Sequence, residues 1–172
     1  MGQSGAVTTA PRAEQLDIPR EYGTPDRLLD WDSVDARLAA AHHYWLATVR
    51  PDGRPHAVPS DGLWLEARWY FGGSPTTVKH RNLLANPRAT LHLEDARSAV
   101  IVEGRCEIRM PGPEGAQRLV EQSKAKYGYA PPVEAYLSGV WTLIPRRVMA
   151  WTELHVDATR FLFPEFPEAE AP

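Results

Sequence analysis

A group of polar side chains near the middle of the chain has the composition of a phosphate-binding site. It combines hydroxyls, cations and an amide, at Ser74, Thr76, Thr77, Lys79, His80, Arg81 and Asn82. The free N–H groups and the positive dipole end of a helix N-terminus attract an anion. If a helix begins near Thr76, Lys79 lies about one turn into it, with Asn82 on nearly the same face. The same residues also suit an ordinary capped helix with a solvated lysine and no ligand. This alternative stays open because capped helices are common.

The other reactive side chains do not form a second site. The six histidines include the pair His42-His43, but adjacent residues point apart and no cysteine or carboxylate completes a ligand set. We therefore expect no metal. The sequence lacks the G-x-S-x-G motif of hydrolases and the G-x-G-x-x-G motif of dinucleotide-binding folds. Cys106 lies in a strand pattern, where a structural role is favoured over a reactive thiol. No catalytic residue stands out.

Short strands and a few helices are predicted around this polar group. Apolar patterning predicts strands over residues 44–50, 55–64, 68–72, 88–94, 98–110, 140–144 and 147–153. Helices are predicted over about 33–41, 76–86, 114–127 and 133–137, with Ser74 as the cap of the second helix and Pro75 near its first position. Residues 51–54, Pro-Asp-Gly-Arg, suit a tight turn. This pattern predicts a β-barrel with helical additions, of either split-barrel or OB-like type.

Composition limits the class of protein. The 172 residues are 43% hydrophobic, enough for one domain with a substantial core. A net charge of −3 argues against a general nucleic-acid binder, and no run approaches the ~20 apolar residues of a membrane span. The single cysteine excludes an internal disulfide, and the N-terminus is unlike a signal peptide. We therefore expect a cytoplasmic protein without nucleic-acid or membrane partners.

Three segments resemble the pyridoxamine 5'-phosphate oxidase-like split β-barrel family, whose members bind FMN or the deazaflavin F420. They read LATVRPDGRPHAVP, SPTTVKHRNLLANPRATLHLE and VIVEG, and the SPxxxKxxNLxxNP pattern is the most specific part. The resemblance spans about residues 31–151. It implies a mainly β (α+β) fold, a split β-barrel of the FMN-binding type with a few peripheral helices. It also implies a homodimer with the cofactor at the subunit interface.

The resemblance implies roles for individual residues. In the family, the lysine and the hydroxyls before it contact the cofactor phosphate or ribityl chain, which implicates Ser74, Thr76, Thr77, Lys79 and Asn82. The strand after the hairpin turn lays its backbone along the flavin ring, which implicates Arg54, His56, Ala57, Val58 and Pro59. For Arg54 and His56, simple exposure to solvent is the competing interpretation. A late strand of the partner subunit closes the site, so Trp141 and Arg146 are candidates from across the dimer.

These assignments predict an oxidoreductase that uses FMN, or alternatively F420, for hydride transfer to or from a small organic substrate. F420 adds a polyglutamyl tail, for which the candidate cations are Arg50, Arg54, Arg81, Arg88, Lys124 and Lys126. The alternative function is a non-catalytic flavin- or haem-binding protein of the same fold. A true pyridoxamine phosphate oxidase ranks last, because we find no second phosphate-binding set. We expect a flexible N-terminal arm over 1–25, a flavin-binding barrel over 26–156 and a C-terminal tail over 157–172.

Overall fold

The computed structural model describes residues 10–164, which contain nine strands and five helices. The strands are β1 (Arg12–Gln15), β2 (Tyr44–Val49), β3 (Pro55–Ser60), β4 (Leu63–Leu65), β5 (Arg68–Phe71), β6 (Arg88–His92), β7 (Val100–Arg109), β8 (Val140–Ala150) and β9 (Thr159–Leu162). The helices are α1 (Trp31–Ala40), α2 (Val78–Ala85), α3 (Gly112–Tyr127), α4 (Val133–Leu137) and α5 (Leu154–Asp157). A short 3-10 turn lies at Arg20–Tyr22.

The nine strands form one antiparallel sheet that branches at β8. Seven strands follow the order β1-β9-β8-β7-β6-β2-β3, while β5 pairs with β8 and β4 outside this path. Residues 141–143 of β8 pair with β5, and residues 147–150 pair with β9. The arrangement is the split β-barrel with peripheral helices that the resemblance implied.

The branch in β8 coincides with a β-bulge. Glu103 faces Arg147 and Gly104 faces Pro145, so Arg146 is the extra residue on β8. Proline has no N–H to donate, and bulges are among the places in a sheet that tolerate it. The two strands predicted on either side of Pro145 are therefore one strand of 11 residues.

Alternate strand residues face a common core, which α1 covers. The largest fully buried side chains of this core include Trp69, Tyr44 and Phe161. Val34 and Leu38 of α1 are completely buried against it, as their spacing on one helix face predicted. Each fully buried aromatic or aliphatic side chain stabilises the fold by roughly 1.5–3 kcal/mol relative to an exposed one.

β3 lies at the edge of the sheet, and within residues 10–164 no strand pairs with its outer side. In the turn, the Arg50 N–H donates to the Arg54 carbonyl at 2.9 Å. This bond determines which opposite residues of β2 and β3 are hydrogen-bonded pairs. Because hydrogen-bonded pairs alternate, the backbone groups of residues 55, 57 and 59 point towards the free side. Two of these residues are prolines, so Ala57 supplies the N–H donor among the three.

Both ends of the described chain join the sheet. β1 lies in the expected flexible arm and pairs with β9, which lies in the expected tail. Across this pair the Arg160 side chain donates to Glu14, 146 residues away. Composition did not reveal this pairing, because it joins segments far apart in the chain, and the division into arm, barrel and tail stays a prediction. Residues 1–9 and 165–172 of those two segments lie outside the described residues.

Smaller differences concern element ends. The strand predicted over 55–64 is divided between β3 and β4. α2 begins at Val78 and not near Thr76. Within residues 10–164, no helix combines the length and the apolar character needed to cross a membrane.

Candidate functional site

Lys79, in the first turn of α2, is a half-buried cation. Its Nζ donates to Ser60 Oγ at 2.8 Å and lies 5.5 Å from the centre of the Phe71 ring. Burial lowers the pKa of Lys79 below its ordinary value, and the charge of Asp61 opposes that shift. Among the residues that the structure describes, no carboxylate forms an ion pair with this ammonium. A partly desolvated, unpaired cation of this kind favours binding of an anion.

The Lys79 side chain lies in the wall of a cavity of about 520 Å³. One side of the cavity is formed by residues 59–63, from the end of β3 to the start of β4, and by residues 70–73, at the end of β5. The opposite side comes from α3, α4 and the loop between them, through Ser123, Tyr127, Tyr129, Pro131 and Tyr136. The volume suits a small organic molecule, since ligand pockets measure roughly 300–1,000 Å³.

The C-terminal end of α3 holds the turn that follows β3. The Gly62 N–H donates to Tyr127 Oη at 3.0 Å, and this hydroxyl donates to the His42 carbonyl at 2.8 Å. Leu119 of α3 packs against Leu63, the residue after that turn. The turn is therefore fixed by a helix more than 50 residues away in the chain.

Lys126 is a second half-buried cation, next to the same turn. Its Nζ donates to Tyr44 Oη at 2.9 Å and to the Ala39 carbonyl at 3.1 Å. It also lies 3.4 Å from the Gly62 carbonyl. Burial lowers the pKa of Lys126 to about 8. The Lys126 ammonium is thus bound to neutral oxygens of its own chain.

The hydroxyls before α2 form a local turn. Ser74 Oγ lies 2.8 Å from Thr76 Oγ1, and Thr77 Oγ1 donates to the Ser74 carbonyl at 2.8 Å. Thr77 occupies the cap position of α2 without a side-chain cap hydrogen bond, so the prediction of Ser74 as the cap is wrong. Ser74 and Thr76 are exposed beside the first-turn N–H groups of α2, which have no partner within the helix.

Asn82 is placed differently from the expectation. Its side chain is 2% exposed, and its Nδ2 donates to Thr48 Oγ1 at 2.9 Å. The amide thus joins α2 to β2 inside the core. The helical period correctly put Asn82 near the face of Lys79, but packing of that face against the barrel removes it from the cavity.

The hairpin residues divide between the turn, the free edge and the cavity. Arg54 pairs with Asp52 at 2.7 Å on the exposed turn. His56 Nδ1 lies 3.3 Å from an Arg50 guanidinium nitrogen, and slight burial together with the Arg50 charge lowers the pKa of His56. Pro59 alone of the predicted β3 residues lines the 520 Å³ cavity.

Trp141 and Arg146 lie in different places. Trp141 is 8% exposed, and its Nε1 donates to His80 Nδ1 at 3.1 Å. With Thr77 and Lys79 it lines a small recess, so it lies beside the Lys79 of its own chain. Arg146 lines a second cavity of about 320 Å³, which shares no lining residue with the first.

A family model fixes the relationship of this chain to known proteins. The model of pyridoxamine 5'-phosphate oxidase matches residues 31–161, about three quarters of the sequence. The chain belongs to this family. No curated protein matches the sequence.

Solved structures with this architecture include members of the pyridoxamine 5'-phosphate oxidase family and other proteins. The conserved hypothetical protein Rv2991 from Mycobacterium tuberculosis is 22% identical, with a TM-score of 0.61 over 75% of this chain and 88% of that chain. An F420 reductase is 27% identical, with a TM-score of 0.50 over 65% and 93%. The haem storage protein HutZ from Vibrio cholerae is 16% identical, with a TM-score of 0.55 over 73% and 95%.

Sequence reasoning missed several cavity residues of this family member. Ser60 lies on the same face of β3 as His56 and Val58, so the two-residue period of a strand was a usable signal. Gly73 has a positive φ of 146°, and a Cβ there would lie 3.0 Å from Lys79 Cε. The tyrosines of the α3–α4 segment gave no signal, because their position depends on how α3 packs.

Proposed function

We propose that this protein binds FMN, or alternatively F420, and acts as an oxidoreductase on a small organic substrate. The main support is the position of Lys79, a half-buried ammonium hydrogen-bonded to Ser60 at the wall of a ligand-sized cavity. Within the described residues it has no carboxylate partner, so a phosphate ester would supply the missing negative charge.

The residues near Lys79 fit a phosphate attached to a planar ring. Lys79 would hold the phosphate together with the exposed hydroxyls of Ser74 and Thr76 and the first-turn amides of α2. The bare backbone at Gly73 leaves room beside the Lys79 side chain. The edge N–H of Ala57 would donate to the polar rim of the ring, two residues before Pro59 at the cavity wall.

The cofactor, when bound, would supply the hydride chemistry. The chain would bind the phosphate, orient the ring and exclude water. Leu63, Tyr70 and Phe71 form an apolar part of the cavity wall, which limits access of water to the reacting centre. We assign no catalytic residue. Among the described residues that line the cavity, the one carboxylate is Asp61, which contacts His43 at 3.1 Å.

The surroundings of the candidate cations favour FMN over F420. Arg54 is paired with Asp52, and Lys126 donates to Tyr44 and to backbone carbonyls. Arg81 donates to the Thr76 carbonyl at 2.7 Å. These side chains already have partners, which leaves fewer cations for an acidic tail. The F420 reductase among the structural relatives is the reason to keep F420 as the alternative.

We also propose a homodimer with the cofactor at the subunit interface. β3 presents an unpaired edge, and Arg146 lines a cavity separate from the one at Lys79. A partner subunit would bring a second surface to this open edge, as the family resemblance implies. Trp141 is not needed from the partner, because it lies beside Lys79 in the same chain.

A non-catalytic flavin- or haem-binding protein is the second candidate. One observation favours it: four tyrosines line the cavity, and a tyrosine oxygen is a known axial ligand of haem iron. Tyr127 Oη already contacts His42 and Gly62, which limits its use as a ligand.

The test is a side-by-side titration of the cofactor-free protein with FMN, F420 and haem, followed by absorbance. We expect FMN to bind at micromolar concentration or below, with a flavin band that a hydride donor such as NADPH bleaches. If the protein binds haem saturably, with a Soret band, and binds neither FMN nor F420, the haem-binding alternative replaces this proposal. A bound flavin that no donor reduces would support a carrier.

A further inference from the structure

The cavity at Lys79 has two chemically different walls. The wall from β3, β5 and α2 contains Lys79, the residue proposed to bind the cofactor phosphate. The other wall belongs to the segment between β7 and β8, from α3 to α4, and consists of Ser123, Tyr127, Tyr129, Pro131 and Tyr136. No Arg, Lys, Asp or Glu of that segment lines the cavity. The second wall is therefore aromatic and uncharged.

The tyrosines of this wall differ in how firmly they are held. Tyr127 is fixed through its hydroxyl by Gly62 and His42. Tyr136 is half-buried, and Ser123 hydrogen-bonds its side chain. Tyr129 is held through its backbone, because Ser123 Oγ donates to its carbonyl at 2.8 Å.

The ring of Tyr129 remains available to a ligand. It is 59% exposed, and its centre lies 6.3 Å from that of Tyr127. In the described residues its hydroxyl has no hydrogen-bond partner. Gly128 in the left-handed conformation ends α3, and the prolines at 131 and 132 stiffen the loop that follows. A ring presented in this way at the mouth of a cavity is suited to stacking on a planar molecule.

The charges near this wall argue against an anionic substrate. Lys79 is used for the cofactor phosphate in the proposed function, on which this inference rests. Lys126 donates to Tyr44 and backbone oxygens, and Lys124 is exposed outside the cavity lining. The remaining charged residue of the lining is Asp61, which repels anions.

We propose that the α3–α4 segment selects a neutral, planar aromatic substrate, and that Tyr129 is the specificity-determining residue that stacks on it. A substrate carrying its own phosphate would find no cation on this wall. The segment thus separates this chain from an enzyme acting on pyridoxamine 5'-phosphate.

The test uses two matched probes, 2-naphthol and 2-naphthyl phosphate, and the cofactor-loaded protein. Binding is measured by equilibrium dialysis for the wild type, Tyr129→Ala and Tyr22→Ala. Tyr22 is the control because its side chain is 60% exposed in the turn at Arg20–Tyr22, outside the cavity lining. We expect 2-naphthol to bind at least about tenfold more tightly than the phosphate, and Tyr129→Ala to weaken it about tenfold, with Tyr22→Ala unchanged.

Cofactor affinity of the same variants separates this inference from the proposed function. Tyr129→Ala should bind the cofactor as the wild type does. The inference is overturned if the wild type binds the two probes equally tightly. It is also overturned if Tyr129→Ala binds 2-naphthol as tightly as the wild type does. Neither result affects the cofactor proposal. Failure of the wild type to bind FMN or F420 overturns the proposed function, and the inference with it.

Discussion

The ammonium of Lys79 lies 2.8 Å from the hydroxyl of Ser60, which joins the first turn of α2 to the end of β3. The two residues are 19 positions apart, and the contact directs the cation to the wall of the cavity. Burial lowers the pKa of Lys79 because it disfavours the charged form, and an anion bound beside the ammonium would stabilise that charged form.

Replacing Lys79 should weaken cofactor binding without unfolding the protein. A charge-assisted contact with phosphate contributes ~1.5–3 kcal/mol, so Lys79→Ala should raise the Kd roughly tenfold to more than a hundredfold. The measurement is a fluorescence titration with FMN at low salt. Lys124→Ala is the control, because Lys124 is exposed and lies outside the cavity lining. Equal Kd values for the two variants would place the phosphate elsewhere.

The free edge of β3 gives a test of ring placement. Ala57→Pro removes the outward N–H, whereas Ala57→Val keeps it and suits a strand. Neither change removes a donor of the β2–β3 ladder, because the Ala57 N–H points away from β2. Losing one hydrogen bond of ~0.5–1.5 kcal/mol should weaken cofactor binding by roughly twofold to tenfold in Ala57→Pro only. Identical affinities in both variants would show that the ring does not contact this edge.

The pKa of Lys126 predicts a pH dependence of stability. Burial lowers this pKa to about 8, while an unfolded lysine titrates near ~10.4. Between these values the unfolded state binds more protons, so the free energy of unfolding should rise with pH. In urea unfolding at pH 7, 8, 9 and 10, the free energy of unfolding should rise less with pH for Lys126→Met than for the wild type. Lys124→Met should keep the wild-type slope, and a slope unaltered in Lys126→Met contradicts the assignment.

The carboxylate of Asp157 predicts a loss of stability in acid. It is 1% exposed and accepts from the backbone N–H groups of Thr152 at 2.8 Å and Glu153 at 3.1 Å. Burial would raise the pKa of Asp157, but the hydrogen bond from the Thr152 hydroxyl, these two backbone bonds and the Arg27 charge outweigh it and lower the pKa. The ionised carboxylate of Asp157 therefore stabilises the folded state fully above ~pH 4, and this stabilisation is lost as the pH falls through the pKa of the folded state.

Asp157→Asn should reduce the free energy of unfolding at pH 7 by about 1.5–3 kcal/mol. The difference from the wild type should shrink at pH 3, as measured by urea unfolding. Asp17→Asn is the control, because Asp17 is exposed. This substitution should change the free energy of unfolding little at either pH. A difference that stays constant between pH 7 and pH 3 would refute the role of the ionised carboxylate.

The proposed homodimer is tested by light scattering at micromolar concentration with FMN present. The expected mass is twice the 19.2 kDa of the chain. Arg146→Glu should weaken cofactor binding or association if that residue acts across the interface, while Arg97→Glu, on an exposed loop, should not. If the protein is a monomer by light scattering and still binds FMN at micromolar concentration, the cofactor site is not shared between subunits.

Much of the fold and part of the site follow from the sequence by itself. The hairpin around residues 51–54, the helix after the SPxxxKxxNL pattern and the burial of Val34 and Leu38 depend on turn chemistry and residue period, which are local. The role of the lysine in that pattern came mainly from the family resemblance, and it stays a prediction. Local signals place residues on elements and on faces of elements.

Only the tertiary structure decided which of those faces meet. It buried Asn82 against Thr48, placed Trp141 beside Lys79 of the same chain, and paired the two ends of the described chain in one sheet. It also brought the aromatic α3–α4 wall to the cavity. These outcomes depend on contacts between residues far apart in the chain, whose free energy comes from packing and desolvation of whole surfaces. No short stretch of sequence contains that information.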